Sequence, residues 1–505
     1  MQIKILDSIL PMRDISKFIL IVPFVLLFLG CKKLLESEPP SDFVSGENVY
    51  TTDAAAIAVL NGLYINMSQS GYPFQGTNGI SFLSGLDADE LTLYSGVTNT
   101  IYIGHYKNAL SQTLTGQQVG AEHWGALYNF IFKCNAAIEG LNKSESLTPM
   151  VKQQLIGEAQ FLRAFMYFYL VNFFGDVPLP LTTDPEINPS LTRLPREQVY
   201  KQIISDLQAA ENSLSPEFIN ESLLGSSLER VRPTKWAAAA LLARVYLYTE
   251  DWVKAEDEAS EIINNKTLFD LVKLNDVFFK NSKEAIFQLQ GTAINFNTVD
   301  AQIWIIPETG PSSFLNPVFL SDTLINSFEQ DDLRAKPGNW INTTIYKLNT
   351  TINDTVTFSY KYKLNLSDPD ITGAADMKEY FMVLRLGEQY LIRAEARAQL
   401  DKLNEAKDDL NAIRARAFSP AKPVTVTNKT DLLTAILHER QVELFLELGH
   451  RWFDLKRTGK IDDVMRGLKP LKANGAVWES YQQWYPLPLE SDLLRSFHLQ
   501  QNEGY

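Results

Sequence analysis

The chain has 505 residues, a formal net charge of −14 and an aromatic content of 11%. So acidic a surface argues against binding nucleic acid, or anionic lipid, by charge. With two cysteines in a chain of this length, stability must come from a large apolar core and not from a disulfide framework.

At the N-terminus, Arg13 and Lys17 precede the apolar run Phe18–Leu29, which ends in Gly30 and Cys31. A basic start, a short apolar core and a small residue before the break describe a secretory signal. The run is shorter than the roughly 20 residues a helix needs to cross a bilayer. A cysteine at the cleavage position points to a bacterial lipoprotein, with residues 1–30 removed and Cys31 acylated; Met12 is an alternative start. Residues 31–45, with Pro39 and Pro40, read as a tether, and 46–505 as one domain.

Helical periodicity then runs through Ala54–Met67, Trp124–Leu141, Leu155–Phe174, Val199–Leu214, Trp236–Tyr248 and Trp252–Ile263. It returns in Tyr380–Leu400, Leu403–Ala417 and Leu432–Leu448. Two helix pairs share one template. Ala243, Tyr246, Trp252, Ala255, Ala259 and Ile262 occupy the small and large positions of a tetratricopeptide-type hairpin. Ala394, Leu403, Ala406, Leu410 and Ile413 repeat that register, with Arg397 where an aromatic is usual. Small residues at the crossing allow close helix approach. Glu158–Phe174 with Arg196–Leu214, and Ala54–Met67 with Trp124–Leu141, extend the series. The expected fold is therefore mostly α: about four tetratricopeptide-like hairpins within about 50–265 and 380–450. Irregular, partly β insertions fill about 70–120 and 268–377, with strand-like pieces such as Thr355–Leu364.

Catalytic groups are scarce. The five histidines include no pair at zinc-binding spacing, and His438-Glu439 lacks the second His of H-E-x-x-H. No phosphate loop, dinucleotide fingerprint or nucleophile elbow is present. Cys134 lies in an apolar helix as a small core residue. Asp87, Asp89 and Glu90 have the chemistry of a calcium site or a glycosidase pair, but lack EF-hand spacing, and capping or turn formation accounts for them. Asp368 and Asp370 are discounted on the same grounds. No catalytic residue, metal or cofactor is expected. Glu443, Glu447 and Arg451, spaced four apart among apolar residues, read as one charged helical face with an architectural role.

An ordered series of short motifs carries a family resemblance. It begins with Cys31, Asp87-Ala88-Asp89-Glu90 and Trp124…Tyr128…Cys134-Asn135, then Gly157-Glu158-Ala159-Gln160-Phe161-Leu162-Arg163-Ala164 and Phe174-Gly175-Asp176-Val177-Pro178. Arg385-Leu386-Gly387-Glu388, Leu410-Asn411-Ala412-Ile413-Arg414, Glu439-Arg440…Glu443…Glu447 and Arg451-Trp452-Phe453-Asp454-Leu455 follow. Tyr485-Pro486-Leu487-Pro488 and Gln501-Asn502-Glu503-Gly504-Tyr505 close it. In this series the chain resembles the SusD/RagB-like outer-membrane lipoproteins of Bacteroidetes. The resemblance implies four tetratricopeptide-like units, insertions forming the ligand surface, and a partner: a SusC-like TonB-dependent transporter. It implies a glycan ligand, or in some branches a peptide, and lipid anchoring that faces the cell surface. Glu36 and Glu38, after Lys32-Lys33, are a thin version of the acidic surface-display signal.

The residues themselves point to the same insertions. A sugar ring offers an apolar face and a rim of hydroxyls, which suits an exposed aromatic flanked by amides and carboxylates. The first insertion holds Tyr72, Phe74, Phe82, Tyr94, Tyr102 and Tyr106 near Asn78 and Asn99. The second holds Trp304, Phe314, Trp340 and Tyr346 near Asn295, Asn297, Gln302 and Asn339. The candidate ligand residues are Trp304, Trp340, Tyr94, Tyr102 and Phe314. Trp304 leads them, in a strand-like piece between Ile303 and Ile305, where a core position is the competing reading. Trp124, Trp236, Trp252 and Trp452 fall on helix templates and are assigned to packing. The rival to a nutrient binder is a helical-repeat adaptor with no ligand of its own. Replacing the anchor gives a first expectation: Cys31→Ala leaves ligand affinity in solution unchanged and abolishes membrane retention, measured by fractionation. Continued co-fractionation with the outer membrane would assign the tether to partner contact.

Overall fold

A helix ends where its capping and its partners end, and this chain marks those points well. Thr52 caps the first helix, α1 (Asp53–Ser68), with its hydroxyl accepting from Ala55 N. Pro149 opens a long helix, Pro149–Phe174, and Gly175, at φ 76°, closes it. The computed structural model describes residues 49–69, 71, 73–114, 117–292, 297–348, 352–364, 370–488 and 498–505. The lipidation signal, Cys31 and the tether lie outside the described residues.

After α1 come α2 (Ile80–Asp87), α3 (Thr100–Tyr106), α4 (Glu122–Lys143), α5 (Pro149–Phe174) and α6 (Arg196–Ser213). The array continues with α7 (Lys235–Tyr248), α8 (Trp252–Asn264), α9 (Val299–Trp304) and α10 (Asp322–Ile325). It closes with α11 (Leu386–Gln399), α12 (Leu403–Ala417), α13 (Lys429–Glu443), α14 (His450–Arg457) and α15 (Ile461–Lys472). From α4 to α8 each helix packs on the next, and α8 passes the stack directly to α11 across the second insertion. Buried Ala237–Ala240 and Ala243 on α7, with Ala255 and Ala259 on α8, let these helices approach closely. The fold is mostly α and tetratricopeptide-like.

Three expectations change. Residues 381–385 are strand and not helix, because Phe381–Arg385 pairs antiparallel with Ala285–Leu289 and is buried along its length. Helix α1 leans more on α5 than on α4. Glu443, Glu447 and Arg451 share no helical face: α13 stops at Glu443, and Leu446, Leu448 and Gly449 all take positive φ before α14 begins.

The family motifs are long-range polar ties. Glu158 holds Arg232 and the Tyr64 hydroxyl; Arg163 holds Asp206 and Asn135. Arg244 grips Glu388 through two bonds of 2.6 Å. Asp89 receives Arg451 at 2.8 and 2.6 Å, and Glu90, pushed up to about 8 by burial and by Asp89, accepts from Leu446 N. The acidic run therefore binds distant chain and does not cap a helix. The Arg397 guanidinium, at the usual aromatic position, bridges Glu256 and Asp409. Cys134 is buried in α4, where burial pushes its thiol up to about 12.

Asp87 accepts from His105 Nδ1 at 3.0 Å and from the Tyr485 hydroxyl, while His105 Nε2 faces Glu122 at 3.3 Å. Burial alone would lower the imidazole pKa, but the Asp87 and Glu122 carboxylates outweigh it and carry it up to about 10. A pKa raised on folding gives stability that is complete below about 6.5 and lost as pH rises toward 10. In urea titrations between pH 6 and 10, stability should therefore fall by at most about 1.4 kcal/mol per pH unit from this site. His105→Gln should flatten that slope. An unchanged slope would show that the imidazole is not charged in the folded state.

Candidate ligand-binding surface

The two insertions meet in a small ribbon. β1 (Leu91–Leu93) pairs antiparallel with Val318–Leu320 of the second insertion, Leu91 opposite Leu320 and Leu93 opposite Val318. The ribbon continues into Tyr94, whose N–H donates to Pro317 O at 2.8 Å. Tyr94 thus sits, half-buried, against the segment that carries Phe314.

That segment is braced from both sides. The Ser312 hydroxyl accepts from Leu315 N and Asn316 N at 3.0 and 3.2 Å, and Ser312 N donates to Asn316 O. The buried Asn316 amide donates to the carbonyls of Gln302, Ile303 and Ile305 at 2.9–3.1 Å, closing the end of α9. The loop so held presents Phe314 at 83% exposure and Leu315 at 50%. Gly310, at φ 87°, lets the chain turn against the face of Tyr346, where any Cβ would collide with the ring. The Tyr346 hydroxyl donates to Asp354 at 3.1 Å. Burial and Asp354 push the Tyr346 pKa up.

Beneath this lies a buried layer. Trp304 stacks on Phe82 at 6.0 Å, and Phe82 meets Tyr102 edge-on at 5.0 Å. Tyr102 is half-buried in α3, which Asn99 caps by accepting from Ile101 N and Tyr102 N. Trp304 is only 4% exposed and ends a helix, so its strand-like placement is corrected and its ring forms floor and not surface. Asp300, one turn earlier, accepts from Gly76 N, and burial pushes its carboxyl up to about 7.

Trp340 is elsewhere. It is 0% exposed, its Nε1 donates to Leu274 O at 2.8 Å, and the Lys361 ammonium lies 4.8 Å from its ring. With no ring face open to solvent, it is corrected to a core residue. Phe74, Phe82 and Asn297 are also buried; Asn78 and Asn99 are exposed; Tyr72 and Asn295 lie outside the described residues. The candidates brought together are therefore Tyr94 and Phe314, over a floor of Tyr102, Phe82 and Trp304, while Tyr346, 7% exposed, packs with Ile306, Val356 and Phe358 as core. Sequence reading passed over Ile345, 66% exposed on the hairpin of Ile341–Lys347 and Asn353–Ser359. The signal was its alternation with the inward Thr344 and Tyr346.

Comparison with known proteins follows the same lines as the fold. Residues 51–247 match the family model described as starch-binding, associating with the outer membrane, and residues 312–505 match that of the SusD family. A SusD-like protein of Formosa agariphila is 26% identical over 532 residues, covering 96% of this chain and 99% of the relative. Among solved structures, surface glycan-binding protein A of Bacteroides fluxus superposes with TM-score 0.68 at 21% identity, covering 89% of this chain and 99% of its own. A laminarin-binding SusD-like protein gives 0.67 at 24%, covering 90% and 100%. No described helix is long and apolar enough to cross a membrane. With its motifs, its helical stack and both family models in agreement, the chain belongs to the SusD/RagB family.

Proposed function

We propose that this protein captures an oligo- or polysaccharide at the outer membrane and delivers it to a SusC-like TonB-dependent transporter. Residues 1–30 direct export, Cys31 carries the lipid, residues 31–45 form the tether and the remaining chain is the capture domain. The observation that carries the ligand reading is Phe314, largely exposed on a loop braced by Ser312 and Asn316 beside Tyr94. An exposed aromatic normally costs solubility; one held rigidly on a built loop offers a sugar a flat face with little entropy left to lose. The family's starch-binding description and the glycan-binding neighbours support the same ligand class. The protein binds and does not transform its ligand; the unreactive, buried Cys134 and the engagement of the acidic run in ion pairs support this.

Isothermal titration of the full chain in detergent against maltohexaose, laminarihexaose and a mixed peptide digest tests the reading. Phe314→Ala and Tyr94→Ala should each weaken glycan binding by about 0.5–1.5 kcal/mol, up to about tenfold. Phe314→Ala should leave urea stability within about 0.5 kcal/mol, whereas Trp340→Ala should lower it by about 3–5 kcal/mol. Saturable peptide binding with no glycan signal moves the protein to the peptide branch. Glycan binding indifferent to both aromatic replacements removes this surface from the account.

A further inference from the structure

A second concavity shares no residue with the aromatic surface. It lies between α1, the loop 219–232 and the segment 289–292 that follows the strand Ala285–Leu289, and encloses about 650 Å³. That volume is within the roughly 300–1,000 Å³ usual for small-ligand sites. One wall is a finished polar assembly. Arg232 Nη1 contacts both Glu158 oxygens at 2.8 and 3.1 Å, its Nη2 donates to Asn61 Oδ1, and the Tyr64 hydroxyl donates to Glu158 at 2.8 Å. Arg232 is the one cation among the described lining residues, and Glu158 already neutralises it.

The mouth of the cleft is chemically unspent. Gln69, Glu221, Gln290 and Thr292 line it, and their side chains make no hydrogen bond to any described residue. Amides and a hydroxyl offer both donors and acceptors, and the carboxylates of Glu221 and Glu229 offer acceptors alone. Tyr64, Ile65, Leu289 and Met377 supply apolar surface between them. Such a lining disfavours an anion, which would find acceptors and no free cation. It disfavours an extended peptide too, because Gln288 N already donates to Arg230 O and the opposite edge of its strand is paired with Phe381–Arg385.

We propose that this cleft is a second carbohydrate site, selective for neutral oligosaccharides over uronic or sulfated ones. Hydroxyls of the sugar would donate to Glu221 and Glu229 and exchange bonds with Gln69, Gln290 and Thr292, while C–H faces cover Ile65 and Met377. The proposal takes its ligand class from the functional reading above, and its position from this cleft alone.

Hydrogen–deuterium exchange on the full chain in detergent separates the two sites. The probes are maltohexaose, laminarihexaose, hexagalacturonate and the peptide digest, each at about 10 mM or its equivalent, roughly ten times a millimolar Kd. A neutral hexasaccharide should protect amides in 61–69, 219–232 and 289–292, and hexagalacturonate should not. The double variant Gln290→Ala/Thr292→Ala, which removes no hydrogen bond to a described residue, should weaken that protection at least about tenfold in concentration and leave protection of 91–94 and 310–317 unchanged. Protection of 91–94 and 310–317 with a silent cleft overturns this proposal and leaves the aromatic surface standing. Protection of the cleft alone supports this proposal and removes the aromatic surface. Silence at both with every sugar overturns both. Equal protection of the cleft by hexagalacturonate, or by peptide in place of sugar, overturns the neutral-glycan assignment.

Discussion

Glu443 holds this structure together. Its carboxylate is fully buried and receives Arg334 at 2.8 Å, Arg385 at 2.8 Å and Arg416 at 2.5 Å. Those arginines come from the second insertion, the end of a strand and helix α12. Burial would raise such a carboxyl, but three guanidinium groups hold it well below the usual carboxylate range. Glu447 extends the cluster by accepting from both Arg385 and the Lys361 ammonium, each within 2.6 Å. Trp340 covers it, with Lys361, Arg385 and Arg416 all within 5.8 Å of the ring. A buried network of this kind adds little net stability over an apolar core, yet losing one partner costs about 3–5 kcal/mol. What it fixes is geometry: the insertion that carries Phe314 has one seat on the helical stack.

The helical stack was legible because its information is local. Alanines at 237–240, 243, 255 and 259 recur at the helical period, and close crossing needs them at that spacing. The motif strings were legible as a set, although their purpose was not. Glu158, Arg163, Asp176, Glu388 and Asn502 each bond to partners far away in the chain, or cap one, as Asp176 does for Arg196 N. A string such as Gly157–Ala164 cannot announce that its Glu and its Arg point to different neighbours.

The candidate ligand surface was only half legible. An aromatic in a segment rich in Asn and Gly reads alike whether it faces water or core. Trp304 and Trp340 were decided by contacts that no local pattern carries: Phe82 beneath one, and Leu274 and Lys361 around the other. Phe314 stayed outside because Ser312 bonds back to its own loop and Asn316 ties that loop to the end of α9. The second cleft left no sequence signal at all, since its residues come from four separated stretches and only folding makes them neighbours.

The tie between Asp87 and Tyr485 spans 398 residues. A buried carboxylate near the beginning of the fold therefore lacks one of its partners until almost the whole chain is available. Asp89 waits in the same way for Arg451, across 362 residues. Pairings this distant form late, since loop closure must precede any gain from the contact. The N-terminal part of the fold therefore cannot complete these ties by itself, and a chain ending before Arg451 leaves both carboxylates short of a partner.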